Sequence, residues 1–187
     1  MRKIYLIAAM LLSLSLNTQA YTYSAAGKEP LIDGREALIQ AANSNDFVAA
    51  SKAYQKVEEE VLYFKQEYGI DLDTPMRNAL KAKDASKVTK VLNKIYVAEI
   101  NRRLTGAEKN INDYQVAKVL VVKSKLFLDL LTPQMSAEQR EQANEGIQGA
   151  LKAVGNPGVF GVGAAPADPD TMKQSHTKLM QALKIFQ

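Results

Sequence analysis

Apolar residues in this chain recur at helical steps almost from end to end. The clearest seam is Phe47, Ala50, Tyr54, Val57, Val61, Phe64 and Tyr68, at alternating spacings of three and four. Such spacing turns one helix face toward a partner helix. It predicts a helix over 47–68, closed by Gly69 in the usual position past a helix end. Upstream, Pro30 suits a first helical turn, and 31–42 reads as helix. "NSND" at 43–46 breaks it and supplies caps for the next helix. Downstream, "DLDTP" is a turn, with Asp73 or Thr74 as the cap of a short helix over 75–82. A long helix over 85–104 follows, with Val88, Val91, Leu92, Ile95, Ala98 and Leu104 on its buried side.

Thr105-Gly106 interrupts the pattern, and 107–131 resumes it. Val116, Val119, Leu120, Val121, Val122, Leu126, Phe127, Leu128, Leu130 and Leu131 cover more than one face of that helix, which predicts a central place in the fold. Thr132-Pro133 ends it. Ser136 and Gln139 predict a capping box for a helix over 136–153. A Gly/Pro-rich loop leads to a last helix over 169–186, capped by Asp168 or Asp170. No segment alternates with period two. The chain therefore reads as all-α: an antiparallel helical bundle of four long helices with shorter ones added. Arg35-Glu36-Ala37-Leu38 and Arg77-Asn78-Ala79-Leu80 each precede an aspartate, Asp46 or Asp84, and then a long amphipathic stretch. This suggests a duplicated helical hairpin, with one turn missing from the second copy. Two copies are too few for a solenoid.

The first twenty residues read as an address. Arg2 and Lys3 precede an apolar run from Ile4 to Leu16, and Thr18 and Ala20 put small residues at the cleavage-specifying positions. The run is short for a membrane span, which wants about 20 apolar residues. The expectation is a cleaved secretory signal over 1–20 and a single helical-bundle domain over 21–187, periplasmic, with no span after cleavage. With no cysteine anywhere, there is neither a lipid-modified cysteine nor a covalent haem attachment, and no disulfide supports the core. The net charge of +4 falls to +2 once Arg2 and Lys3 are removed, and the basic residues are interspersed with acidic ones. That argues against nucleic acid as a partner.

Candidate chemistry is sparse. No nucleophile elbow, His-Glu-x-x-His or phosphate loop occurs, so nothing asks for an enzyme. The glycines of "GVFGVG" at 158–163 run in the reverse order of a dinucleotide fingerprint. Met172, His176 and Met180 stack at steps of four on the last helix, beside Leu179, Leu183 and Phe186. Thioether and imidazole suit copper or a haem iron. The alternative is core packing, because three residues one turn apart on one helix cannot all reach one ion. Glu138, Glu141 and Glu145 share a face at steps of three and four, which offers carboxylates to iron or presents a solvated surface. Val159, Phe160 and Val162 make the loop sticky. They either plug the bundle end or form a partner-binding surface. No cofactor is required by these residues; iron, haem and copper are the candidates.

The runs "NDFVAASKAYQKVEEEVLYF" and "MRNALKAKDASKVTKVLNKI" resemble the exported helical domain of bacterial high-affinity iron permeases. The resemblance covers 35–104 and lies in the order and patterning of the helices. The iron motif Arg-Glu-x-x-Glu is absent, so no site residue is carried over. The resemblance implies metal handling in the envelope. The expectation is a non-enzymatic bundle that binds a partner or a metal there, as an accessory to iron uptake. Two alternatives stand beside it: a non-covalent haem carrier using His176, and a structural adaptor using the 156–166 loop. The sequence leaves the oligomeric state open.

Overall fold

A computed structural model describes residues 29–158 and 162–187. The expected signal peptide, residues 21–28, Val159 and Phe160 lie outside the described residues. The elements are α1 (Pro30–Asp33), α2 (Arg35–Asn43), α3 (Phe47–Gln55), α4 (Glu58–Tyr68), α5 (Asp73–Lys81), α6 (Ala85–Lys109), α7 (Tyr114–Leu131), α8 (Ala137–Ala153) and α9 (Pro169–Ala182). Short 3-10 turns follow α7, at Thr132–Gln134, and α9, at Leu183–Phe186. The fold is all-α; among the described residues the β pairing is confined to an isolated bridge, Asn156 with Ala165. No described helix is long and apolar enough to cross a membrane.

The caps sit where short polar side chains predict them. Asp46, Asp84 and Asp168 each accept the backbone N–H three residues on, and Ser136 and Gln139 form the reciprocal box; Asp113 caps α7 in the same way, inside the stretch expected to be one helix over 107–131. One cap differs from the expectation. Asp71, rather than Asp73 or Thr74, closes the α5 N-terminus, accepting from Thr74 N at 3.0 Å and Thr74 Oγ1 at 2.9 Å. Asp73 is turned inward instead.

The expected 47–68 helix is two helices. Val57 leaves the helical region with φ −122°, ψ 5°, and Lys56 and Val57 bond back by three residues rather than four. The seam survives the bend, since Phe47, Ala50, Tyr54, Val57, Val61 and Phe64 are all buried, while Tyr68 is half exposed. Glu58, Glu59 and Glu60 thereby become the first turn of α4, where carboxylates favour the positive end of the helix dipole. A matching break at Gly34 divides α1 from α2, and the two breaks pack against each other through Val57 Cγ1.

The two hairpins α2–α3 and α5–α6 share one turn. In each, the capping aspartate N–H reaches a carbonyl five residues back: Asp46 to Ala41, and Asp84 to Ala79. The residue before it has positive φ, Asn45 at 60° and Lys83 at 53°. In this register Leu38 corresponds to Met76, Ala50 to Val88 and Tyr54 to Leu92, all of them buried. The second copies of the Arg-x-Ala-Leu run therefore sit one turn out of step.

α6 is the hub. It packs against α2, α5, α7, α9 and the C-terminal turn. Its buried residues Val88, Leu92, Ile95, Tyr96, Ile100, Leu104 and Ala107 serve several neighbours. It continues through Gly106, where interruption was expected, and ends where the Asn110 side chain takes Gly106 O. α7 starts later than expected, at Tyr114, and is not central: it buries one side only. α8 and α9 form the tightest pair, with Gly146 lying directly against Leu179.

Candidate functional site

His176 sits on the edge of α9 facing α6. Its Nδ1 is 2.7 Å from Glu108 Oε1 and its Nε2 is 2.9 Å from Asn101 Oδ1. The ring is largely buried, with its side chain 12% exposed. Asn101, His176, Met180, Lys184 and Gln187 line a shallow groove of about 340 Å³. Both ring nitrogens are engaged by protein oxygens, so the imidazole bridges α6 and α9. A metal ion would have to displace Asn101 to use Nε2. Met172 is fully buried in the core, whereas Met180 is half-buried in the groove. The stack of Met172, His176 and Met180 therefore faces different surroundings at each step.

Glu138, Glu141 and Glu145 lie exposed on the outer side of α8, and Glu145 pairs with Lys178 of α9. Among the described residues, no group of three or more His, Cys, Asp or Glu side chains is placed to hold a metal ion. The loop is organised at its base. Asn156 and Ala165 exchange two backbone bonds of 2.8 Å, and Gly158 N donates to Asn156 Oδ1 at 3.0 Å. Val162 is 79% exposed, so it plugs nothing.

Two polar clusters were not anticipated. In the first, Arg103 donates from Nε to Glu99 at 2.9 Å and from its terminal nitrogen to Glu29 at 2.6 Å. Lys123 of α7 reaches the other Glu29 oxygen at 2.8 Å, and the Arg103 guanidinium stands over the Phe127 ring. Glu29, Glu99 and Arg103 are all buried. The i, i+4 pair Glu99/Arg103 is readable in the sequence, but its link to Glu29, far away along the chain, is not. In the second cluster the Tyr54 hydroxyl donates to Asp73 at 2.8 Å, Arg77 Nε donates to both Asp73 oxygens, and Arg77 also pairs with Glu58. Burial, with the Asp73 carboxylate beside it, pushes the Tyr54 phenol far above its ordinary range. Both clusters join helices and so fix the scaffold; Glu99 also lines a shallow groove of about 280 Å³ with Glu59, Glu60 and Tyr63.

Helix α7 carries a second apolar face. On α7, Ala117, Val121, Ser124, Phe127, Leu128 and Leu131 face the core. The opposite side carries Val119, Val122, Leu126 and Leu130, at spacings of three, four and four. Val122 is 43% and Leu126 42% exposed; Val119 is half-buried, and so is Leu130, which also packs in part against the core. This second face runs about 16 Å along the helix at 1.5 Å per residue. Comparison of the chain with protein-family models, curated proteins and solved structures finds no match.

Proposed function

We propose that this protein is an exported, non-enzymatic helical bundle that works in the cell envelope by docking a protein partner. The second apolar face of α7 carries the reading. Apolar residues on a solvent-facing helix side, at the spacing of a helix-packing seam, mark an interaction surface when they are contiguous. The rest of the molecule supports a rigid presenter of that surface: α6 holds α7 in place, and the Glu29–Arg103–Lys123 cluster ties the start of the described chain to it. The permease-like patterning of 35–104 suggests that the partner belongs to iron uptake. The haem-carrier reading gains nothing from His176, whose ring nitrogens are both occupied by side chains of α6.

Leu126→Glu tests this. The residue is 42% exposed, so the fold tolerates the charge. In periplasmic extract the wild-type chain is expected to elute in gel filtration above its monomer size, and the variant at monomer size. A wild-type chain that elutes as free monomer in extract contradicts the proposal.

A further inference from the structure

Resting on the reading of α7 as a docking face, we infer that its occupant is the α7 of a second copy of this chain, laid antiparallel. The face is self-complementary in that direction. Turning a second α7 end for end sets Val119 opposite Leu130, and Val122 opposite Leu126, then repeats both pairs in reverse order. All four layers are apolar. This is the a/d geometry of a short helix–helix seam.

Charge selects the direction. Lys118 and Asp129 flank the face on the same side, eleven residues apart. In the antiparallel pair, Lys118 of each copy comes beside Asp129 of the other. In a parallel two-fold pair this flank of one copy lies across the seam from the other flank of its partner, so Lys118 and Asp129 do not meet and the charge pairing is lost. Lys118 now donates to Tyr114 Oη at 2.7 Å, and Lys125 to both Asp129 oxygens at 2.9 and 2.8 Å. A carboxylate has about four acceptor sites, so Asp129 can take a further lysine while keeping Lys125. Lys123, on the other flank, is held by Glu29 and stays out of the seam. A two-fold contact of this kind closes on itself as a dimer. With four layers it falls at the small end of specific interfaces, below about 1,200 Å² in total, so the dimer is reversible.

Sedimentation velocity on the purified mature chain over a wide concentration range tests the inference. The wild type is expected to pass from monomer to dimer as concentration rises. Lys118→Asp and Asp129→Lys, each alone, bring like charges together at both ends and are expected to stay monomeric. Mixed one to one, they restore opposite charges at both ends and are expected to form a mixed dimer. A wild type that stays monomeric throughout, or a mixture no more associated than its components, overturns the inference. If the wild type is large in periplasmic extract yet monomeric when pure, the docking reading stands and the occupant is another protein. If it is monomeric in both, both readings fall.

Discussion

Two mid-helix glycines should respond to the same substitution with opposite sign. Gly106 of α6 and Gly146 of α8 both lie inside helices, where replacing Gly by Ala gains roughly 0.4–1 kcal/mol of backbone entropy and propensity. A methyl group at 106 would meet Leu120 Cδ1 at 3.2 Å, the far end of a half-buried side chain that can turn aside. The cost there is a few tenths of a kcal/mol, so Gly106→Ala stabilises by about 0.5 kcal/mol. At 146 the methyl would meet Leu179 N and Cβ at 2.8 Å and Cα at 3.0 Å. Backbone atoms cannot rotate away, so α8 and α9 must separate along their closest stretch. Overpacking of this kind costs about 1–3 kcal/mol, and the backbone contacts place it at the upper end. Gly146→Ala therefore destabilises by about 1–2 kcal/mol net. At about 2–4 °C per kcal/mol for a chain of this size, its Tm falls by roughly 2–8 °C while that of Gly106→Ala rises by about 1–2 °C. Thermal unfolding followed by circular dichroism at 222 nm reads both. Shifts of the same sign would refute the claim that α8 and α9 are packed backbone to backbone here.

Two tyrosines offer a second contrast. Tyr54→Phe removes the donor to buried Asp73 and should cost about 1–2 kcal/mol, whereas the buried Tyr96 hydroxyl has no hydrogen-bond partner among the described residues, so Tyr96→Phe should be neutral or stabilising. Urea unfolding of the two variants checks this, and a Tyr96→Phe loss as large as that of Tyr54→Phe would contradict it. Acid should loosen the helix starts. Lys65 and the Thr74 N–H and hydroxyl hold Asp71 down to about 2, the Lys87 N–H lowers Asp84, and the Thr171 hydroxyl and N–H lower Asp168. A carboxylate depressed in the folded state stabilises it above the unfolded value near 4, and that contribution is lost as pH falls from about 4 toward 2. Tm should fall across that window, and a flat profile there would count against the caps.

The local parts of the fold were legible because they rest on residues close in sequence. The Ser136/Gln139 box and the caps Asp46 and Asp168 are such features, and so are the two hairpins. Breaks at Gly34 and Val57 were not legible, because each exists to accommodate the other across a contact between separate helices. Asp71 and Asp73 exchanged roles for a related reason: Tyr54, on another helix, draws Asp73 inward. The apolar wealth of α7 was plain, but its pattern cannot say which of two apolar faces a neighbour covers. The structure gives the central place to α6 and leaves Val122 and Leu126 in solvent. His176 stands out in the sequence as the sole histidine, but its partners Glu108 and Asn101 lie on α6, beyond the reach of any spacing rule.

Occlusion of α7 in the living cell is the most direct measure of the account. The chain has no cysteine, so Val122→Cys and Val48→Cys each carry a single thiol, the second at a site 70% exposed on α3. Their rates of reaction with a maleimide added to intact cells that export them are compared with the rates after unfolding in urea. The account predicts that Val122→Cys is protected at least tenfold relative to Val48→Cys. Equal rates at the two positions would show that nothing covers the face, and would contradict it.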